Sequence, residues 1–180
     1  MSIVKNNFEV PTTKVAFCGS MGSGKTYAST QLQLKTNAKI MSIARPIKEL
    51  VSRMNLKDAG RGEHIMVGTV GRSIDNNIWI NKLIARIDGD VIVDDVRFEN
   101  EAKVLKENGF TIIYLNVPWH VRFKRVLKRS DDLRDHIQYF ANESETACET
   151  IDKRLFDYVC TTESQVDEVI ENMGINSESI

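Results

Sequence analysis

The sequence lacks several features that would place it in a specialised class of protein. Its 180 residues contain three cysteines and no C-x-x-C pair, so neither a disulfide framework nor a zinc site is expected. No apolar run approaches the roughly eighteen residues of a membrane span, and the polar stretch 1–13 does not resemble a signal peptide. The formal net charge is -1, so no overall positive field attracts nucleic acid. We therefore expect a cytoplasmic protein that binds neither a membrane nor a nucleic-acid polymer.

Short apolar runs alternate with helical patterns along the chain. Five runs are typical of buried strands, because each is brief and apolar. They lie at 15–18, 38–43, 91–93, 111–117 and 156–160. Strands separated by helices predict a single α/β domain in which a parallel sheet is covered on both faces. The stretch 61–77 has few apolar residues and several glycines, so it is predicted to be a loop.

A glycine-rich segment follows the first predicted strand. The run G-S-M-G-S-G-K-T at 19–26 fits the phosphate-loop pattern G-x-x-x-x-G-K-S/T. Its glycines allow main-chain N–H groups to converge on one anion, and the next helix adds its positive end. Lys25 is expected to reach the β- and γ-phosphates, and the Thr26 hydroxyl to bind Mg²⁺. The glycine order excludes the G-x-G-x-x-G pattern of dinucleotide-binding folds. The predicted ATP-binding residues are Gly19, Ser20, Gly22, Ser23, Gly24, Lys25 and Thr26.

Two adjacent carboxylates, Asp94 and Asp95, follow the third predicted strand. In P-loop proteins an Asp at such a strand end holds Mg²⁺, directly or through water. Neighbouring residues of a strand point to opposite faces, so one of the two is expected to face the metal, and spacing does not choose between them. The alternative is a solvated turn, where Asp is common. Because a phosphate loop is present, we favour a metal site formed by Thr26, Asp94 and Asp95.

A basic helical segment begins at Trp119. Arg122, Arg125 and Arg129 are spaced so that they share one helical face. Arginines that close over a transferring phosphoryl group stabilise its charge. Taken alone, the pattern fits a solvated helix at least as well. A nucleic-acid patch is a third interpretation, which the balanced overall charge disfavours.

Several segments resemble one enzyme family. The run D-V-R-F-E-N-E-A at 95–102 resembles the D-V-R-F-x-N-E-A signature of phage deoxynucleoside monophosphate kinases. The run A-R-P-I-K at 44–48 is similar to a segment that follows the second strand in that family. G-T-V-G-R at 68–72, with Trp79 downstream, resembles the family's G-T…G-R…W stretch. Ser-Glu at 144–145 fits an S-E pair that follows the lid in the family.

The resemblance spans about residues 14–170 and implies a nucleoside-monophosphate-kinase fold with five parallel strands in the order 2-3-1-4-5. It implies the reaction ATP + dNMP → ADP + dNDP, with Mg²⁺ as cofactor. It also implies a phage-encoded enzyme in the bacterial cytoplasm, and it allows a homodimer. Residues 1–180 then form one kinase domain, with a core at 14–118 and 143–174, a monophosphate-binding region at about 60–80 and a lid at about 119–142.

The resemblance also suggests roles for individual residues. Arg72 either grips the acceptor phosphate or is a surface arginine, and Arg97 either faces the transferred phosphoryl group or pairs with a neighbouring Asp. Trp79 either stacks on the base or packs in the core. Glu101 either contacts substrate or supports the start of a helix, and Glu145 helps to order the lid. The predicted substrate-binding residues are Arg45, Lys48, Arg72, Trp79, Asp95, Arg97, Glu101 and Glu145, and the predicted catalytic residues are Lys25, Arg97, Arg122, Arg125 and Arg129.

Two alternative functions remain open. One is a kinase of another small acceptor, similar to dephospho-coenzyme A. The other is a P-loop switch or assembly protein, which would hydrolyse ATP slowly without an acceptor and expose a large apolar patch that the sequence does not reveal. His64, His120 and His136 have no ligand-like spacing and are given no role.

Overall fold

Five parallel β-strands form the centre of the computed structural model, which describes residues 12–55, 59–128 and 143–173. The strands are β1 (Lys14–Cys18), β2 (Lys39–Met41), β3 (Val91–Val96), β4 (Thr111–Leu115) and β5 (Tyr158–Cys160). Each pair of neighbouring strands is parallel, and the order across the sheet is β2-β3-β1-β4-β5. This order confirms the predicted fold class and its 2-3-1-4-5 topology.

Helices connect the strands. They are α1 (Lys25–Thr36), α2 (Arg45–Arg53), α3 (Arg61–Ile74), α4 (Ile78–Ile84), α5 (Glu99–Glu107), α6 (Trp119–Leu127), α7 (Glu143–Thr150) and α8 (Glu163–Asn172), with a short 3-10 helix at Lys153–Leu155. None of these described helices has the length and apolarity needed to cross a lipid bilayer. The predicted domain boundaries stay a prediction, because much of the proposed lid, 129–142, lies outside the described residues.

The central strand divides the core into two layers. Successive side chains of β1 face opposite sides of the sheet. Ala16 and Cys18 pack in one buried cluster with residues of α2, α4 and α5. Val15 and Phe17 pack in a second cluster with residues of α1 and α8. Because β1 lies in the middle of a parallel sheet, the loop that follows it emerges at the centre of the sheet's carboxyl edge.

Helix α3 corrects the prediction of a loop at 61–77. Two of the glycines that suggested a loop are buried within the helix, where they allow neighbouring side chains to approach. A Cβ atom at Gly71 would lie 2.2 Å from the Trp79 ring, and one at Gly68 would lie 3.2 Å from Ile47. The main-chain N–H of Gly60 donates to the Glu63 carboxylate at 2.7 Å and caps the helix. These glycines serve close packing rather than a turn.

Candidate active site

A cavity of about 790 Å³ opens at the carboxyl edge of the sheet. Four segments line it: the phosphate loop with the start of α1, the loop after β2 with the first turns of α2, one face of α3, and the end of β3 with the start of α5. Clefts at this edge of open α/β sheets are where such folds bind ligands. The volume lies within the usual range for small-molecule sites.

The loop after β1 has the backbone that the glycine pattern predicts. The φ angles of Gly22 and Gly24 are 78° and 102°, which side chains other than glycine rarely adopt. A Cβ atom at Gly22 would also lie 2.7 Å from the Arg122 carbonyl oxygen. The chain therefore needs glycine at Gly22 for both its conformation and its close contact with α6.

Lys25 is the first residue of α1 and lines the cavity. Its Nζ donates to the carbonyl oxygens of Gly19, at 2.6 Å, and Ser20, at 3.0 Å. No acidic side chain of α1 itself occupies its first turn, so no residue of that turn offsets the positive end of the helix. An ammonium group and a helix N-terminus at one loop form a site suited to phosphate.

The Ser23 hydroxyl is a buried polar group in the same loop. Its oxygen has no hydrogen-bond partner among the residues that the structure describes. A buried polar atom without a partner is unfavourable, by about 1–3 kcal/mol. This unfilled hydrogen-bonding capacity fits a loop that closes around a polar ligand.

The carboxylate of Asp95 joins the end of β3 to the loop after β2. It accepts hydrogen bonds from the Ser42 hydroxyl at 2.6 Å and from the main-chain N–H groups of Ile43 at 2.7 Å and Ala44 at 3.0 Å. Both of its oxygens therefore have partners. Asp95 lines the cavity, but its bonds hold the entry to α2 in place.

Asp94 is half-buried and lines the cavity beside Lys25 and Thr26. Burial raises the pKa of its carboxyl group, the neighbouring Asp95 raises it further, and the Lys25 ammonium opposes the rise. A divalent cation would favour the ionised carboxylate in the same way. The structure thus distinguishes two carboxylates that spacing alone does not distinguish. Asp95 is hydrogen-bonded to the β2–α2 loop, and Asp94 is the better placed to bind a metal.

The oxygen donors Thr26 and Asp94 fit Mg²⁺, which binds through one or two protein oxygens, substrate phosphates and water. In the described part of the chain, no three His, Cys, Asp or Glu side chains form a metal-binding group by themselves. Two protein oxygens leave the other positions around Mg²⁺ to phosphate and water.

Cationic side chains surround the rest of the cavity. Lys48, Arg61, Arg72 and Arg97 all line it, from three different segments. The Arg72 guanidinium lies over the Phe98 ring, 4.5 Å from its centroid, so the ring fixes its position. This wall is suited to an anionic group opposite the phosphate loop.

Glu101 is a buried carboxylate beneath this wall. It accepts hydrogen bonds from the main-chain N–H groups of Arg97, at 2.9 Å, and Phe98, at 3.1 Å. Burial raises its pKa to about 7, and these two hydrogen bonds limit the rise. Of the two predicted roles, the support of a helix start has direct contacts, and it also fixes the backbone of Arg97.

Two predicted substrate-binding residues lie outside the cavity. Trp79 is 5% exposed, packs onto Gly71 and donates from its ring nitrogen to the Gly68 carbonyl oxygen at 2.9 Å. Its predicted base-stacking role is therefore wrong, since the ring is already buried. Arg45 pairs with Glu49 at 3.0 Å in a separate surface pocket, which corrects its assignment to the substrate site.

Arg122 makes structural contacts in this structure, and its predicted catalytic role stays a prediction. Its side chain is 8% exposed, and its Nε donates to the Val117 carbonyl oxygen at 3.0 Å. Its Nη2 donates to Glu149 at 3.0 Å. These contacts join α6 to the end of β4 and to α7, so the guanidinium does not face the cavity.

Arg125 contacts the phosphate loop from outside the cavity. Its Nη1 lies 3.4 Å from the carbonyl oxygens of Gly22 and Ser23, and its Nη2 pairs with Glu163 at 2.9 Å. It therefore holds the loop and does not face the cavity, and its catalytic assignment stays a prediction. Arg129 lies outside the described residues, as does the Glu145 side chain, so their assignments stay predictions.

The cavity-facing side of α3 was predicted only in part, through Arg72 and the monophosphate-binding region at about 60–80. Arg61, His64, Ile65, Gly68 and Arg72 line the cavity, at the spacing of one helical face. That spacing is the signal that could have found them, but the glycines concealed it. His64 donates from Nδ1 to a carbonyl oxygen at 2.6 Å, that of Gly60, and belongs to the site although no role was predicted for it.

Comparison with known proteins agrees with this geometry. A family model described as an AAA domain (AAA_18) matches residues 15–152. No curated protein matches the chain significantly. Shikimate kinase from Bacteroides thetaiotaomicron is 15% identical, covers 91% of this chain and 96% of its own, and has a TM-score of 0.53. Shikimate kinase from Acinetobacter baumannii, in complex with shikimate, is 14% identical, covers 92% of both chains and has a TM-score of 0.54. A sugar kinase from Janibacter sp. HTCC2649 is 17% identical, covers 91% of this chain and 92% of its own, and has a TM-score of 0.52. At these identities the likeness shows a shared P-loop kinase fold.

Proposed function

The chain belongs to the AAA_18 family of AAA domains, and from this premise we propose that it is an ATP-dependent kinase of deoxynucleoside monophosphates. One observation carries the proposal. A single cavity joins the phosphate loop to a wall that presents four cationic side chains: Lys48, Arg61, Arg72 and Arg97. Such a cavity can hold two negatively charged ligands, one at the phosphate loop and one at the cationic wall.

The donor end would bind ATP. Main-chain N–H groups of the phosphate loop and the start of α1 would hold the phosphates, with Lys25 at the β- and γ-phosphates. Thr26 and Asp94 would hold Mg²⁺, which when bound neutralises charge on the transferring phosphoryl group. Asp95 would keep the β2–α2 loop at a fixed distance from this end.

The acceptor end would bind the monophosphate. Arg72 and Lys48 would hold its phosphate, and Arg97 would lie toward the transferring group. The cationic wall suits an anionic acceptor, and the D-V-R-F-E-N-E-A run at 95–102 resembles that of deoxynucleoside monophosphate kinases. A monophosphate is mostly a dianion at neutral pH and can attack without a base. We include in this proposal a single kinase domain whose lid spans about 119–142.

One observation favours the alternative of an NTP-hydrolysing switch. The outer face of α3 exposes Met66, Val70 and Ile74, which are 59%, 55% and 78% exposed and recur at every fourth residue. The switch hypothesis requires an exposed apolar surface of this kind. The two functions differ in their dependence on an acceptor, since a switch hydrolyses ATP without one.

A coupled assay of ADP release tests the proposal. Each deoxynucleoside and ribonucleoside monophosphate would be tested with Mg·ATP, alongside dephospho-coenzyme A, shikimate and a reaction without acceptor. We expect at least one deoxynucleoside monophosphate to raise the rate by about a hundredfold or more. Release that no monophosphate increases would contradict the proposal. If that release were slow, it would favour the switch.

A further inference from the structure

Arg61 connects the two ends of the cavity. It is the first residue of α3, a helix of the acceptor wall, and its side chain is half-buried. Its Nη1 donates to the Met21 sulfur at 3.1 Å, and Met21 belongs to the phosphate loop. Arg61 therefore reaches from one wall of the cavity to the other.

The contact with Met21 is weak for an arginine. A thioether sulfur is a poor hydrogen-bond acceptor and carries no charge, whereas a phosphate oxygen makes a short, charge-assisted bond with a guanidinium. The sulfur places the guanidinium at the phosphate loop. A phosphate oxygen that arrives there would be a stronger partner for the same N–H group.

Two of the arginines predicted to act in catalysis pair with acidic side chains outside the cavity. Arg122 pairs with Glu149, and Arg125 pairs with Glu163. The first turn of α3 adds the positive end of a fourteen-residue helix beside Arg61, although Glu63 caps that turn and offsets part of this charge. Arg61 combines contact with the phosphate loop and a place in the cavity lining.

We propose that Arg61 is a catalytic residue, whose guanidinium binds the phosphoryl group as it passes between donor and acceptor. The inference rests on the proposed function. In the step, the bond between the γ-phosphorus and the β,γ-bridging oxygen breaks, and its electron pair stays on the β-phosphate of ADP. An oxygen of the acceptor phosphate forms the new bond to the γ-phosphorus. No proton moves when the acceptor is a dianion, and the total charge is conserved.

Kinetics of Arg61→Met and Arg61→Lys test the role. With the best acceptor, we expect Arg61→Met to lower kcat by about a hundredfold or more, while both KM values change by less than about threefold. Arg61→Lys keeps the positive charge but loses the planar guanidinium and its paired N–H donors, so we expect it to recover about a tenth of the activity.

The control is Arg53→Met, which removes an exposed arginine at the end of α2 and should leave kcat unchanged. A kcat of Arg61→Met within about twofold of wild type would overturn the inference. So would a loss confined to the acceptor KM.

A binding experiment separates failure of this inference from failure of the proposed function. Fluoroaluminate added to Mg·ADP mimics the transferring phosphoryl group. With acceptor present, we expect it to raise the affinity of the wild-type protein for ADP by about tenfold or more, and the increase to vanish in Arg61→Met while ADP alone binds normally. If the increase survives in Arg61→Met, Arg61 is not catalytic although the kinase proposal stands. If neither protein binds Mg·ADP, both proposals fail.

Discussion

At the proposed donor end of the cavity, the groups that would bind phosphate come from one continuous run, 19–26, and most of them would be main-chain N–H groups. At the acceptor end, side chains at 48, 61–72 and 97–101 come from three segments that only the fold brings together. The difference suggests separate tasks. A main-chain site recognises phosphate in general, whereas a wall of side chains can select one acceptor. Changes at the donor end should therefore mainly lower kcat, and changes at the acceptor end should mainly raise KM. Arg61 is the exception, because it reaches from the acceptor wall to the phosphate loop and its loss should lower kcat.

The largest expected effect is at the donor end, in Lys25→Met. Loss of the ammonium at the β- and γ-phosphates should lower kcat by about a thousandfold, because it removes charge stabilisation in the transition state. Steady-state kinetics and thermal unfolding would be measured together. The control is Lys35→Met, which alters the exposed end of the same helix and should keep activity. Near-normal turnover of Lys25→Met would remove this residue from the mechanism.

The next effect distinguishes the two neighbouring carboxylates. Asp94→Asn should lower kcat by about a hundredfold and raise the Mg²⁺ concentration needed for half-maximal rate. Asp95→Asn disrupts three hydrogen bonds, so it should lower the free energy of unfolding by about 1–3 kcal/mol and raise the acceptor KM. Rates measured across a Mg²⁺ titration, with urea unfolding, provide both readouts. An equal Mg²⁺ shift in the two variants would show that their roles are not divided.

A smaller effect is expected at the acceptor wall, in Arg72→Met. Its guanidinium is held over the Phe98 ring and should bind the acceptor phosphate, so its loss should raise the monophosphate KM by about thirtyfold. The KM for ATP and kcat should change little. Arg53→Met again serves as the control for loss of one positive charge. An unchanged monophosphate KM would exclude Arg72 from the acceptor site.

The smallest effect is a pH dependence of stability that comes from Glu101. Its pKa rises to about 7 in the folded protein, so the folded state holds a proton that the unfolded state, with a carboxyl near its ordinary value of 4.5, has lost. The free energy of unfolding should therefore decrease as pH rises, by about 1 kcal/mol between roughly pH 6 and pH 8. Glu101→Gln should lack this decrease. Urea unfolding of both proteins at the two pH values is the check, and parallel behaviour would contradict the assigned pKa.

The donor end was predictable because its signals are local. Eight consecutive residues, 19–26, contain the glycines and the lysine, and they follow an apolar strand. The fold followed from similar local signals, since alternating strand and helix patterns predict a parallel sheet. The strand order came from the resemblance and not from periodicity.

The acceptor end was predicted only in part, because its physical causes are tertiary. The sequence allows Trp79 either to stack on a base or to pack in the core. In the structure its ring packs in the core, because Gly71 has no side chain and lets the ring approach the helix backbone closely. Spacing does not distinguish Asp94 from Asp95. The tertiary structure does, because main-chain N–H groups of the loop after β2 donate to the Asp95 carboxylate. On α3 the sequence predicts Arg72 but not the rest of the cavity face, because glycines that pack helices together are also typical of loops.

The central claim is that one cavity holds the donor and the acceptor at once, and the affinity of a bisubstrate analogue tests it most directly. The analogue would join adenosine and a deoxynucleoside through five phosphates, and its dissociation constant would be measured by titration calorimetry with Mg²⁺. Because the second half binds within the same molecule, we predict an affinity about a hundredfold or more above that of ATP. An affinity no higher than that of ATP would contradict the account.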